Sequence, residues 1–486
     1  MKSQSKKMPA QPLDAVARRQ FLQRAGSLAT ALGLGGAGAL TTLRPAHAAD
    51  YKALVCVFLY GGNDGQNMVV PTDASRHAQY AAARPGLALP RSALLALGST
   101  GFGLHPALAA LQPAWQRQAL APLFNVGPLF APVTKAEYLS APANSPLRPD
   151  SLFSHSDQQT LWESSTTSAM ARTGWGGRSA QALGMVNPVI SLGGNGRFGL
   201  SDQQTPLVLP GPGDTFGAHT LQPSDMGWAP MAARKQAIDA LYAQQFVGVL
   251  PAAYARQQRE AFLVSQRLGA LVARQPLTAG SSAALDAAFA PLIVNGRLST
   301  SPARQLYQVA KLIDGRATVQ GDRHIFFVQQ GGYDTHANQA LTGDPLDGQH
   351  ARLLKDLGDA LAAFDRAMVA IGMDQAVTSF TQSDFGRTLT GNGSQGTDHA
   401  WGNHQLVLGG AVRGGTTYGQ YPQLALGGPD DIGVHSWERQ GRWIPTSSVD
   451  QYAATLLSWF GASEAMLDQV LPNLRNFGSA RNLGFV

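Results

Sequence analysis

Three short apolar runs set the frame of this chain: residues 55–60 (VCVFLY), 325–328 (IFFV) and 377–381 (VTSFT). Each is rich in Val, Phe or Thr and has too few polar positions to alternate. Runs of this kind read as strands covered on both faces, as in parallel sheets under helices. LAPLFNV at 120–126 and QLVLGG at 405–410 read as further strands. Helical spacing near 302–313 and 351–371 flanks the second and third runs and gives a βαβ rhythm. These elements predict an α/β fold with a mostly parallel central sheet flanked by helices. Between about 165 and 300 the texture changes. Gly- and Pro-rich segments (GGNGRFG, LPGPGDTFG) give way to a helical stretch at 252–274 carrying Phe262, Leu263, Leu268 and Leu271. No strand-end acid falls there, so the region is predicted to be an inserted cap over the sheet. Ala136 and Glu137 are assigned to a Pro-rich loop reaching Pro149.

Each of the three apolar runs ends in a Gly-bearing turn with an aspartate: GGNDG (Asp64), QQGGYDTH (Asp334, His336) and QSDFGR (Asp384). In open α/β sheets ligands bind beyond the carboxyl ends of the strands, and glycine lets the backbone turn sharply and approach closely. A fourth element, GTDHAWGNH, adds Asp398, His399 and His404. Asp and Gly after a strand are also ordinary turn residues, but three acids and clustered histidines at one topological position point further. Carboxylate and imidazole ligands without thiolates suit zinc, manganese or another divalent ion, one or two per chain.

The order GGNDG, SHSDQQ, GGYDTH, SDFGR, GTDHAWGNH and the closing IPTSSVDQYAATLLSWFG resembles the exported bacterial family known as domain of unknown function 1501. That family is grouped by similarity with the alkaline phosphatase-like superfamily of sulfatases, phosphodiesterases and related enzymes. The resemblance implies an alkaline phosphatase-like domain whose metal ligands are Asp64, then Asp334 and His336, then Asp384, then His399. Two departures accompany it. Phe385 stands where the superfamily usually has a histidine after the aspartate, and Asp334 and His336 are two apart rather than four. Either His350 or His404 would supply a missing imidazole, or one metal site is lost.

For a nucleophile the sequence offers Ser154, in LFSHSDQQ before a helical run, with His155 beside it as a ligand or acid. A Ser there also suits a plain helix cap. Arg387 and Arg148 are candidate clamps for a phosphate or sulfate group, and Trp401 and Trp175 candidate stacking platforms. There is no G-x-S-x-G elbow, H-E-x-x-H helix, paired C-x-x-C or Walker loop, which sets aside several other enzyme classes.

Ala17-Arg18-Arg19-Gln20-Phe21-Leu22-Gln23, an uncharged Gly- and Ala-rich stretch and Ala46-His47-Ala48 form the order of a twin-arginine signal, cut after Ala48. The expected location is the periplasm or outside the cell, with the twin-arginine translocase as partner during export and no stable membrane span after cleavage. This segment also accounts for the charge. Of 37 basic and 31 acidic residues, seven and one lie in residues 1–48, which leaves 30 of each. A neutral remainder has no net field to gather nucleic acid. The single Cys56 sits inside the first strand and allows no intrachain disulfide. Residues 49–486 are expected to be one domain. Its expected function is hydrolysis of a small-molecule or glycan phosphate or sulfate ester with zinc, manganese, magnesium or calcium. The alternative is a non-catalytic relative that binds a glycan or protein partner.

Overall fold

A computed structural model describes residues 51–217, 221, 223–244 and 248–486. The twin-arginine segment at residues 1–48 lies outside them. Asp50–Val486 forms one compact unit.

Eight strands make the central sheet: β1 (Lys52–Leu59), β2 (Leu120–Gly127), β3 (Ile190–Ser191), β4 (Leu207–Val208), β5 (Arg323–Gln330), β6 (Val377–Ser383), β7 (Asn403–Leu408) and β8 (Ser447–Ser448). Their order is β8-β2-β7-β6-β1-β5-β3-β4. Only β7 runs against its neighbours β6 and β2; the other pairings are parallel. The α/β class and the mostly parallel sheet flanked by helices are therefore as the sequence indicates. The three apolar runs are adjacent, with β1 in the centre. Leu59 is level with Gln330 on one side and Ser383 on the other, so Asp64, Asp334 and Asp384 all follow strand ends on one rim.

β1 is buried on both faces. Ala53, Val55, Val57 and Leu59 share a core with Leu306, Val309 and Ile313 of α3 (Ser301–Asp314) and Leu354 and Leu361 of α4 (Gln349–Ala370). Leu54, Cys56 and Phe58 face the other way, into a core with Trp175, Val449, Tyr452 and Leu456, three of them on α5 (Val449–Phe460). Two helical layers sandwich the sheet, which is why these strands have no polar face to alternate. Among the described residues no helix is long and apolar enough to cross a membrane.

Two expectations need correction. Within the region 165–300, expected to be an inserted cap, several described parts belong to the sheet and its core. β3 and β4 extend the sheet at its edge, and α2 (Val249–Ala273) buries Ala255, Phe262, Ser265, Leu268, Gly269 and Val272 along one helical stripe. Leu268 and Val272 enter the same core as Leu306 of α3. Two-residue strands carry too little pattern to stand out in sequence. Ala136 and Glu137 belong to a short helix, Lys135–Ser140, closed by a capping box in which Thr134 and Glu137 satisfy each other's backbone amides. The T-x-x-E spacing signals that start.

Candidate functional site

Helix α1 (His155–Ser164) begins just after the exposed Phe153 and presents His155 in its first turn. The turn after β5 carries Asp334 and His336. The loop after β6 is folded back by a bridge between Arg387 and His399. Close approach of these turns depends on Gly61, which has φ +115°; a Cβ there would lie 2.3 Å from the Asp334 amide nitrogen. Its backbone N–H instead donates to Asp384 Oδ2 at 3.2 Å.

Three imidazoles meet at Asp334. Ligand atoms of His155, Asp334 and His399 lie within 4.8 Å of one another. His336 joins them, with Nε2 3.1 Å from Asp334 Oδ1 and 2.8 Å from His399 Nε2. His399 Nε2 is 3.2 Å from Asp334 Oδ1, and His155 Nε2 is 3.4 Å from Asp334 Oδ2. The opposite nitrogen of every ring faces an oxygen acceptor. His155 Nδ1 is 2.7 Å from Asp384 Oδ2, His336 Nδ1 2.8 Å from Asp398 Oδ1, and His399 Nδ1 2.7 Å from the Phe153 carbonyl.

Acceptors at all three Nδ1 positions accommodate the Nδ1–H form of each neutral ring, the form that leaves Nε2 free as a lone pair for a cation. In that form the lone pairs of all three rings face the Asp334 carboxylate. The arrangement is repulsive until a proton or a cation enters it. Holding one ring nitrogen with a carboxylate or carbonyl while the other faces inward is the way proteins orient metal-ligating histidines. His155 Nε2 and Asp384 Oδ1 are moreover buried without any hydrogen-bond partner. The donor set, three nitrogens and a carboxylate, fits a divalent ion such as zinc or manganese.

The electrostatics separate two of the rings: a raised pKa favours the protonated ring, whose Nε2 proton a bound cation would have to displace, and a lowered one the neutral ring. The hydrogen bond to Asp384 raises the His155 pKa, whereas burial lowers that of His399. Burial would raise the Asp334 carboxyl, but the bond and charge of Arg387 outweigh it and hold it low. Asp334 remains 46% exposed, so solvent reaches the cluster.

Of the other residues singled out in the sequence, several lie elsewhere. Both Asp64 oxygens face the Arg84 guanidinium, at 2.6 and 3.3 Å, and accept further bonds from Gln339 Nε2 and the Gln66 amide. Asp64 is thus half of a buried ion pair. Asp384 stands behind His155 rather than among the converging atoms; its Oδ2 also accepts from Gln159. His404 is buried between Phe124 and Tyr421, with Nδ1 accepting from the Asn125 amide. His350 faces Asn63. Neither adds an imidazole to the cluster.

Arg387 is a buried strut, not an anion clamp. It bonds Asp334 Oδ1 at 2.9 Å, the Gly61 carbonyl and Thr397. Arg148 is spent on the Tyr138 and Leu139 carbonyls. Trp401 and Trp175 are fully buried, so they pack rather than stack on a ligand. Ser154 Oγ meets only Ser156 Oγ, at 3.2 Å, among the described residues. Phe385, fully buried, lays its ring against those of His155 and His399, with centroids 4.8 and 4.4 Å away.

Three supporting groups had weaker signals. Asp398 adjoins His399 in the sequence but orients His336. Gln159 grips the same carboxylate as His155, as the i, i+4 spacing on one helix face allows. The Phe153 carbonyl is a backbone group, which no residue type announces.

Residues 51–432 match the family model described as "Protein of unknown function (DUF1501)", and the chain belongs to the DUF1501 family. No curated protein matches it. One solved structure, described as Ps i-CgsB in complex with k-i-k-neocarrahexaose, is similar at 8% identity over 88% of this chain and 77% of its own, with a TM-score of 0.32. That likeness is too distant to bear on fold or activity.

Proposed function

We propose that this DUF1501 chain is an exported hydrolase of phosphate or sulfate esters that uses one divalent ion. The observation that carries the reading is the set of three histidines whose Nδ1 atoms are engaged by Asp384, Asp398 and the Phe153 carbonyl while their Nε2 atoms converge on Asp334. An alkaline phosphatase-like kinship belongs to the same reading, supported by acids at the carboxyl ends of parallel strands.

His155, His336, His399 and Asp334 would hold the ion. When bound, it supplies Lewis acidity toward an ester oxygen and lowers the pKa of a water. The chain's own groups do the rest. Asp384 and Asp398 keep His155 and His336 in the Nδ1–H form. Arg387 keeps Asp334 ionised and fixed. The Phe385 ring excludes water from the inner side of His155 and His399 while the Asp334 side stays open. Among the described residues Ser154 Oγ meets only Ser156 Oγ and no base, so water is the preferred nucleophile. A second reading, a non-catalytic protein that binds a glycan or partner through this ion, is favoured by the engagement of Asp64 with Arg84 and by Phe385, which leave no second ligand set among the described residues.

Elemental analysis of the purified chain should give one divalent ion. His155→Ala and His399→Ala should lose it, and Asp398→Asn should weaken its binding roughly 10- to 100-fold. Release of nitrophenol from p-nitrophenyl phosphate or sulfate should fall in parallel. A chain that takes up no divalent ion would sink the reading; one bound ion with no turnover of either ester would leave the binding function.

Export by the twin-arginine route is part of the proposal, supported by Arg18-Arg19 and Ala46-His47-Ala48. Replacing both arginines with Lys should hold the precursor in the cytoplasm, read by cell fractionation. Undiminished periplasmic accumulation would refute that route.

A further inference from the structure

Arg442 carries a positive charge beside the histidine cluster, and among the described residues no carboxylate forms a salt bridge with it. Its Nε donates to the His399 carbonyl at 3.0 Å, and its guanidinium carbon lies 4.6 Å from the centre of the Phe153 ring. Phe153 in turn accepts from His399 Nδ1. Arg442 is therefore fixed against the two residues that position one of the cluster's imidazoles. Among the described residues its two terminal nitrogens have no hydrogen-bond partner and no carboxylate in salt-bridge range.

The acids whose charges reach Arg442 are Asp398, Asp431 and Glu438, and each is engaged elsewhere. Asp431 is buried and accepts four backbone amides, those of Gly427, Gly433, Gly441 and Arg442 itself. Glu438 accepts the amides of Val434 and His435. Asp398 holds His336 and Asn392. These carboxylates fold the loop and orient the cluster; they do not neutralise the guanidinium. A half-buried fork of N–H donors without a carboxylate matches a planar pair of anionic oxygens.

We propose that Arg442 recognises the anionic group of the substrate, a phosphate or sulfate, at the histidine cluster. This rests on the hydrolase reading above and assigns substrate recognition to a residue outside the strand-end motifs.

The test is calorimetric titration of inorganic phosphate and of sulfate into the metal-loaded protein, with metal per chain measured on the same samples. The wild type should bind one anion per chain. Arg442→Gln should weaken it roughly 10- to 100-fold, the range expected for a charge-assisted pair, with metal content unchanged. Arg442→Lys, which keeps the charge and loses the fork, should fall between. Arg148→Gln, at a guanidinium already spent on carbonyls, should bind as the wild type does. Whichever anion binds more tightly identifies the ester class.

Unaltered anion affinity in Arg442→Gln, or no binding of either anion by the wild type, would overturn the proposal. Loss of metal together with the anion would overturn it too, since Arg442 would then act by positioning His399. A wild type without metal that still binds phosphate through Arg442 would refute the hydrolase reading and leave anion recognition standing.

Discussion

Arg84→Met should destabilise the folded chain by about 3–5 kcal/mol, the usual cost of breaking a buried ion pair from one side. Both partners are fully buried, and Arg84 Nη2 is 2.6 Å from Asp64 Oδ2. Burial alone would raise the Asp64 carboxyl, but Arg84 outweighs it and keeps the group ionised. Without the guanidinium a carboxylate is left in the interior with only the neutral donors Gln339 and Gln66. It must then remain charged at a high desolvation cost or take up a proton and lose its acceptor role. Arg84 also bonds Asn67 Oδ1 at 2.6 Å, so a further contact goes with it.

Urea unfolding measures the effect, and adding Asp64→Leu should recover much of the loss by removing the stranded charge. A loss under 1 kcal/mol in Arg84→Met would show that the pair is not a strong constraint. Metal content separates this role from ligation: Asp64→Asn should keep the bound ion that His399→Ala loses.

The fold was largely legible because its strands are buried on both faces. An uninterrupted apolar run bounded by Gly and Asp survives as a local signal, and parallel neighbours must end on one side, so Asp64, Asp334 and Asp384 reach the same rim by topology alone. What the rim position does not decide is the partner of each carboxylate. Asp64 and Asp384 end strands in the same way, yet one faces Arg84, 20 residues downstream on no recognisable motif, and the other faces His155, from a helix 229 residues upstream. Those partners are fixed by tertiary packing. The same limit explains Ser154 and His155. Adjacent residues at a helix start differ by about 100° in direction, and here it is the imidazole that reaches the acids. Arg442 was invisible for a different reason: its importance lies in bonds it lacks, which only the surrounding carboxylates reveal.

Acid should weaken the fold steeply below pH 6.5 because four histidines outside the cluster, His105, His324, His350 and His404, are buried with lowered pKa values. Burial lowers the pKa of His105 and His404 to about 3 and that of His350 to about 4. Their contacts oppose a second proton as well. His105 Nδ1 accepts from the Ala107 amide, and His404 Nδ1 from the Asn125 amide. In the unfolded chain these rings take up protons near pH 6.5. Their contribution is thus complete above that value and is lost as pH falls toward the folded-state values near 3 and 4. By pH 4.5 each of His105, His350 and His404 costs roughly 2–3 kcal/mol on linkage grounds.

Asp450 acts in the opposite sense. Burial raises it to about 7, so it penalises the fold at neutral pH and ceases to do so as it protonates, which offsets about one histidine. Together His105, His350, His404 and Asp450 should contribute a loss of about 5 kcal/mol between pH 7 and 4.5, read from the change in unfolding free energy in urea titrations of the wild type and the variants below. Replacing one buried histidine, as in His404→Asn, should lower the slope by about one proton, or roughly 1.4 kcal/mol per pH unit. Asp450→Asn should steepen it by a similar amount. A slope unchanged in His404→Asn would mean that this ring is already protonated in the folded chain, and burial would not be the force that governs it.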